Sequence, residues 1–460
     1  MQMPCGGRGV CGKCRVILDG NASESNEAER RARSRLACQA RLLGDCHAVL
    51  PLGDAMAQIE VDGIRFMPTE NDVQEKAGAA VDVGTTTIAL RLYDLHSGQA
   101  IGSSSALNPQ TSVAADVMGR IGAALSGRLD ELGSMASGAI KRLLHEACQG
   151  AQITEEDVTK LVVTGNTTML YLLTGRSPHS LAKAPFDADD LFDREVSFLG
   201  LPCYLPPCMN AFVGADIACA VLAAGQCRSP QTSLLIDIGT NGEIALWKDG
   251  TLYVTSTAAG PAFEGAGISQ GCGSMIGAID RVWIEKGGIV AHTIGDAPAA
   301  GVCGSGLVDA VASLLKLGIV DETGATEEVL LPIGGGVSLT PRDIRQVQLA
   351  KAAIAAGIYT LMEKAHVLPA EIAVMYIAGG FGSHLDVQSA TAIGLIPAAL
   401  ADKAVVIGNA ALSGASALLF GQSLRDEIKQ IRRVSRHVDL GGNARFNSAF
   451  VDEMLFPDSE

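Results

Sequence analysis

An α/β fold in two similar lobes, preceded by a small α+β domain that carries a group of cysteines, is what this sequence predicts. Three observations predict it. The stretch from Ala79 to Tyr93, AAVDVGTTTIALRLY, reads as a short apolar strand, a tight polar turn with Asp82 and Gly84, and a second strand. The same design returns 155 positions later in Leu234 to Trp247, LLIDIGTNGEIALW, where Asp237, Gly239 and Thr240 fall in step with Asp82, Gly84 and Thr85. Four of the twelve cysteines lie within the first 38 residues.

Each Asp-Gly-Thr loop crowds backbone N–H groups and threonine hydroxyls into one small turn, which is the chemistry of a phosphate cradle. Two copies at domain spacing imply two lobes, each offering a carboxylate and a Gly-Thr turn to a nucleotide held between them. The candidate cradle residues are Gly84, Thr85, Thr86 and Thr87 in the first copy, and Gly239, Thr240, Asn241 and Gly242 in the second. A late glycine pair, Gly379 and Gly380 in MYIAGGFGSHL, follows an apolar strand. In this order the three elements resemble the actin, sugar kinase and Hsp70 ATPase superfamily, whose lobes are ribonuclease H-like. The resemblance implies ATP as ligand, with the late glycines against adenosine. It also implies that Asp82 and Asp237 hold Mg2+ through water or orient the attacking water.

Composition sets the bounds. A chain of 460 residues with 48% hydrophobic content suits two or three domains with sizeable cores. Its formal charge of -15 argues against nucleic acid and against an acidic membrane surface. No basic region followed by an apolar run opens the chain, so no signal peptide is expected. Ala404 to Leu424 is interrupted by Asn409, Ser413, Ser416 and Gln422, and reads as a strand and a buried helix rather than a membrane span. The eight cysteines after Cys38 are scattered, several among apolar neighbours, which favours packing over disulfides and a cytoplasmic location.

Taken in order, the chain opens with Cys5, Cys11 and Cys14 on a glycine-rich loop, with Cys38 distant from them. Thiolates so spaced can surround an iron pair, and four of them suit zinc as well. The pattern resembles the [2Fe-2S] ferredoxin domain in its adrenodoxin-like variant, with five residues between the first two ligands. In that family a hairpin precedes the first ligand, whereas four residues precede Cys5 here. Either the domain starts upstream of Met1 or it is truncated, and the expectation for this chain is a partial domain over residues 1–51 with weak or labile cluster binding. Asn21 to Arg35 is rich in Glu and Arg and reads as a solvated helix. Gln39 to Pro51 reads as the closing strand, with Cys46 a packing residue. Residues 52–78 read as a linker with a short strand at Gln58 to Val61.

The first lobe is expected over residues 79–232. A helix is predicted over Met118 to Gln149, followed by a strand at Lys160 to Val163. The turn Thr164-Gly165-Asn166-Thr167-Thr168 serves equally as a helix cap or as a ligand-facing loop. Phe212 to Ala224, with Gly214 and Asp216 at its start, reads as a small-residue helix crossing between the lobes. The second lobe is expected over residues 233–460. Its loop from Ala258 to Gly273 carries one carboxylate, Glu264, among five glycines, and suits either the cleft or a plain turn series. Gly301 to Gly306 opens a helix whose N-terminus could hold an anion. Thr340, Pro341 and Asp343 mark another helix start, with Ile344, Val347, Ile354, Ile358 and Leu361 on one apolar face.

A cluster site joined to an ATPase clamp resembles the reductive activators of corrinoid proteins, and GPAFEGAGIS and AGGFGSHLD are similar to that family as well. The resemblance implies ATP-dependent return of an inactive Co(II) corrinoid to Co(I). Its cofactors would be a [2Fe-2S] cluster on Cys5, Cys11, Cys14 and Cys38, with ATP and Mg2+. Its partners would be a corrinoid protein or corrinoid methyltransferase and an external low-potential electron donor, and a homodimer is the family-level expectation. Two other readings stand beside it: a small-molecule kinase of the same superfamily with a structural metal site, and a non-catalytic iron-sulfur binding protein. The activators of hydroxyacyl-CoA dehydratases lack such an N-terminus, so the opening cysteines weigh against them.

Overall fold

The structure, a computed structural model, describes residues 15–32, 35–49, 76–380 and 385–458. Cys5, Cys11, Cys14 and the strand expected at Gln58 to Val61 lie outside the described residues.

In the N-terminal domain the strand Arg15–Ala22 is central, paired antiparallel with Arg35–Leu36 on one side and Leu42–Val49 on the other. The solvated helix expected over Asn21 to Arg35 is only Glu27–Ala32. Asn21 belongs to the opening strand and Arg35 to the next one, and the reason is Glu29. Its carboxylate is 2% exposed and accepts from Asn26 N at 3.0 Å, Arg35 Nε at 2.9 Å and Leu36 N at 3.0 Å. A charge read as solubilising thus ties together the turn that leads to Cys38. The backbone and arginine bonds hold this carboxyl below its usual range, against the desolvation that raises it.

Two six-stranded sheets follow. In the first, the order is Ala100–Leu107, Thr87–Asp94, Ala77–Val83, Val158–Gly165, Leu201–Leu205, Arg194–Phe198. In the second it is Thr251–Thr257, Gly242–Lys248, Ser233–Ile238, Val374–Ala378, Ala404–Gly408, with Ser435–His437 added beside Thr251–Thr257. Both contain a three-stranded antiparallel meander whose first strand pairs parallel with a later strand, which in turn pairs parallel with the next. These five strands correspond between the lobes, as the repeated motif predicts, whereas the sixth differs: Arg194–Phe198 adds antiparallel beyond Leu201–Leu205, and Ser435–His437 adds parallel at the meander's edge. The first strand starts at Ala77, two residues before the expected boundary.

Each sheet is covered by one long helix, Leu129–Ala151 in the first lobe and Pro341–Lys364 in the second. Thr340 caps the latter in a reciprocal pair with Asp343, and its predicted apolar face is fully buried. The helix expected over Met118 to Gln149 is not continuous. It breaks between Val117–Ala123 and Leu129–Ala151, where Gly127 adopts φ 90° and interrupts the i to i−4 ladder. The helix Gly304–Lys316 starts with Gly304, Ser305 and Gly306 buried against the strand Ala278–Glu285, and Ser305 Oγ donates to Asp280 O at 2.8 Å. Its N-terminus is covered by protein, not open to an anion.

Between the lobes two small-residue helices cross, Ala215–Ala224 and Ala410–Ala417. Gly414 lies so close to the Cys219 carbonyl that a Cβ there would collide with backbone. This pair forms a third buried apolar cluster, with Ala80 and Ala89 from one sheet and Leu235 and Ala245 from the other. The remaining two clusters are the lobes' own cores. No helix among the described residues is long and apolar enough to cross a membrane.

Candidate functional site

The site lies where the two central strands end. Asp82 pairs with Ala89 and Thr164, and Asp237 with Glu243 and Ala378, so both aspartates sit on their strands, one residue before the end, and not in the turns as expected. The carboxyl ends of such strands are where α/β sheets leave room for ligands.

The first turn, Gly84 to Thr86, is held from several directions. Asn108 Nδ2 donates to Gly84 O at 2.8 Å and Asn108 N to Thr86 O at 2.7 Å. Arg120, fully buried, donates from Nη2 to Thr85 O at 2.5 Å, from Nη1 to Gln110 Oε1 at 3.1 Å and from Nε to Ala114 O at 3.1 Å. Asn166 Oδ1 accepts from Met169 N at 2.9 Å, capping the helix Thr167–Leu173, while its Nδ2 donates to Thr85 Oγ1 at 3.0 Å. The two readings of that turn therefore merge: the cap residue also orients a cradle hydroxyl. Thr167 Oγ1 is engaged elsewhere, with Asn210 O at 2.6 Å. Thr87 opens the next strand.

The second turn is tighter. Gly239 N donates to Asn241 O at 3.1 Å, which closes the turn on itself. Gly242 is already the first residue of its strand and is buried, and a Cβ there would meet Ile354 Cγ1 and Thr257 Oγ1 at 2.7 Å. Its backbone thus lets the long helix approach the sheet. Gly379 has φ 101°, and a Cβ there would lie 2.7 Å from Asp237 Oδ1. Only glycine leaves that carboxylate its room. A Cβ on Gly380 would meet nothing within 4 Å.

One carboxylate joins the two turns. Glu264 Oε2 accepts from Thr86 Oγ1 at 2.5 Å and from Thr240 Oγ1 at 2.5 Å, and its Oε1 accepts from Thr240 N at 3.2 Å. The two threonine oxygens are 3.5 Å apart. The glycine-rich loop is therefore part of the cleft, and Glu264 is the residue it delivers.

Asp82, Asp216, Asp237 and Glu243 influence one another in the same space. Burial, then Asp216 and Asp237, pushes Asp82 up to about 8, although the Asn409 amide opposes this with a bond to its Oδ2 at 3.2 Å. Asp237 rises to about 7 through burial, Asp216 and Glu264, and Asp216 to about 6 through burial. Glu243 is raised by burial and by Asp216 and Asp237. Burial and mutual repulsion raise these carboxyls, and no positively charged side chain is among the causes acting on them. Among the described residues no three of these side chains come together as a ready-made metal site, so a cation here would depend on water or phosphate oxygens for most of its ligands. Arg120, bonded to Thr85 O, has its own pKa pushed down to about 10 by burial, with Asp116 and Glu264 opposing the shift.

Sequence reasoning missed Arg120, Glu243 and Asn409 as members of the site, and it placed Asp216 in the crossing helix only. Asn409 had one available signal, an Asn directly before a small-residue helix, where it caps Leu412 N at 2.8 Å. Of the predicted thiolate ligands, Cys38 alone is described. It is half-buried, and Gln39 Nε2 donates to its Sγ at 3.8 Å, the kind of N–H to sulfur contact that cluster ligands accept.

Three family models match consecutive parts of the chain. They are the 2Fe-2S iron-sulfur cluster binding domain over residues 1–43, the RACo middle region over 77–229, and the C-terminal domain of RACo, the ASKHA domain, over 231–460. The corrinoid activation enzyme RamQ of Eubacterium limosum is 32% identical over 437 residues, covering 86% of this chain and 73% of that protein. The Co(II) methylated amine-specific corrinoid protein reductase of Methanosarcina barkeri is 26% identical over 421 residues, covering 82% and 77%. Among solved structures, a reductive activator for corrinoid,iron-sulfur protein superimposes with TM-score 0.78 at 27% identity, covering 100% of this chain and 94% of that one.

Proposed function

This chain belongs to the RACo family, and on that premise we propose that it is an ATP-dependent reductive activator, returning an inactive Co(II) corrinoid protein to Co(I) for methyl transfer. The observation that carries the reading is the meeting of two Asp-Gly-Thr turns at 3.5 Å, in one chain with a matched 2Fe-2S domain. A phosphate chain lying there is gripped by hydroxyls from both lobes, so its presence or loss alters how the lobes sit. The kinase and non-catalytic readings have no comparable support.

Coupling to ATP has a thermodynamic reason. For a one-electron couple, each ~59 mV of unfavourable potential costs a factor of ten in the equilibrium. A nucleotide-dependent lobe position that binds one state of the corrinoid partner better shifts that equilibrium by the differential affinity. Thr85, Thr86 and Thr240 hold phosphate oxygens. Asp82 and Asp237 hold Mg2+ through water or orient the attacking water. When bound, Mg2+ would supply charge neutralisation to the phosphate chain. Cys5, Cys11, Cys14 and Cys38 would hold a [2Fe-2S] cluster, which would supply one-electron transfer from an external low-potential donor. The cytoplasm suits this chemistry, where thiols stay reduced.

The test is a full chain purified without oxygen, supplied with iron and sulfide, mixed with a Co(II) corrinoid protein and a low-potential reductant. Co(I) absorbance that grows only with ATP and Mg2+ is the expected result. ATP consumption with a phosphorylated small molecule and no change at cobalt would replace this reading with the kinase one.

A further inference from the structure

Glu264 uses the donors a nucleotide needs. Both hydroxyls facing each other across the cleft, Thr86 Oγ1 and Thr240 Oγ1, donate to its Oε2 at 2.5 Å, and Thr240 N donates to its Oε1 at 3.2 Å. Two hydroxyls and a backbone N–H converging on one anionic oxygen pair is the arrangement that receives a phosphate group. The carboxylate is held firmly where it is. It ends the short 3-10 turn Pro261–Glu264, and the two residues before it, Ala262 and Phe263, are buried in the second-lobe core at 3% and 1% exposure. A Cβ on Gly239 would lie 3.5 Å from its Oε1, so the second turn has closed onto it.

We propose that Glu264 is the residue by which the cleft distinguishes a nucleoside triphosphate from a diphosphate, standing in the place of the terminal phosphate when none is bound. This rests on the nucleotide reading above. A diphosphate leaves the three bonds of Glu264 in place. A triphosphate must break them, because its terminal group seeks the same donors and carries like charge. Binding of the third phosphate is thereby coupled to release of the tie between Thr86 and Thr240, which joins one lobe to the other. Bonds of this kind weigh most where water is scarce, as around Thr240, which is 8% exposed.

The experiment uses the full chain with Mg2+ and two probes, ADP and a non-hydrolysable ATP analogue, titrated against the parent, Glu264→Gln and Glu264→Ala. The Gln variant keeps side-chain volume and guards against a folding artefact. Removing the competing charge is expected to tighten the analogue about tenfold, with ADP affinity changed less than twofold. Hydrogen exchange at Thr240 N–H in the nucleotide-free Glu264→Ala chain is expected to accelerate. Equal effects on the two nucleotides, or weaker binding of the analogue, overturn the proposal while leaving the ATP cleft intact. A parent chain that binds neither nucleotide overturns the cleft reading, and this proposal with it.

Discussion

The two Asp-Gly-Thr turns share a motif and differ in what supports them. The first is buttressed from outside by Asn108, Arg120 and Asn166, and its aspartate by Asn409. The second closes on itself through Gly239 and Asn241, and its contact across the cleft runs through Glu264. Bonds from separate elements fix the first turn against the body of its lobe. The second depends on a carboxylate that phosphate can replace. One motif thus serves as a fixed jaw in one lobe and as the responsive jaw in the other.

Asp82→Asn and Asp237→Asn remove the feature the two jaws share, a carboxylate at the end of the central strand. Each is expected to lower ATP turnover by about a hundredfold or more, read in a steady-state phosphate release assay. Unchanged turnover in both removes the cleft as the site. The same carboxyls set a pH signature in the metal-free chain. Their folded values of about 8 and about 7 lie above the ordinary 3.8, so the folded state keeps protons that the unfolded chain has lost. Stability therefore falls as pH rises from about 4 to about 8. Melting temperature should drop across that window, recover with Mg2+, and fall less steeply in either Asn variant.

Arg120→Met removes the main support of the fixed jaw, takes the arginine bond from Thr85 O and from Ala114 O, and leaves Gln110 Oε1 with only the Asn108 Nδ2 bond at 3.4 Å. A loss of about 3 kcal/mol is expected from denaturant midpoints, with reduced nucleotide affinity. Gly414→Ala instead strains the crossing helices that connect the jaws. Its Cβ meets the Cys219 carbonyl, and the expected cost is about 2 kcal/mol, seen as a lowered melting temperature. Asn166→Ala is the mildest, at about 1 kcal/mol for the lost helix cap. Nucleotide affinity is expected to fall as well, read by titration, because Asn166 Nδ2 orients Thr85 Oγ1.

Much of the architecture was legible because local patterns dictate it. Apolar strands that end in Asp and Gly-Thr turns predicted both sheets' starts, and Thr340-Pro341 with Asp343 predicted a capped helix that is present. The errors have local physical causes. Gly127 broke a helix that periodicity alone would continue, and Glu29 turned inward to hold Arg35 and Leu36 where charge pattern suggested solvent. Within the site, Glu264 was visible as one carboxylate among glycines, but its alternatives were balanced. Asn409 looked like an interruption in an apolar run. Arg120 carried no motif.

By itself the sequence determined that two strand-turn-strand units would form and present a carboxylate and threonine hydroxyls, since hydrophobic alternation and glycine turns act over a few residues. Only the tertiary structure decided which of these groups meet. Thr86 and Glu264 are 178 residues apart, and Asp82 and Asn409 are 327 apart. No local preference specifies such distances. They follow from packing two sheets around the crossed helices Ala215–Ala224 and Ala410–Ala417, where a missing Cβ at Gly414 lets the lobes close enough to share one carboxylate.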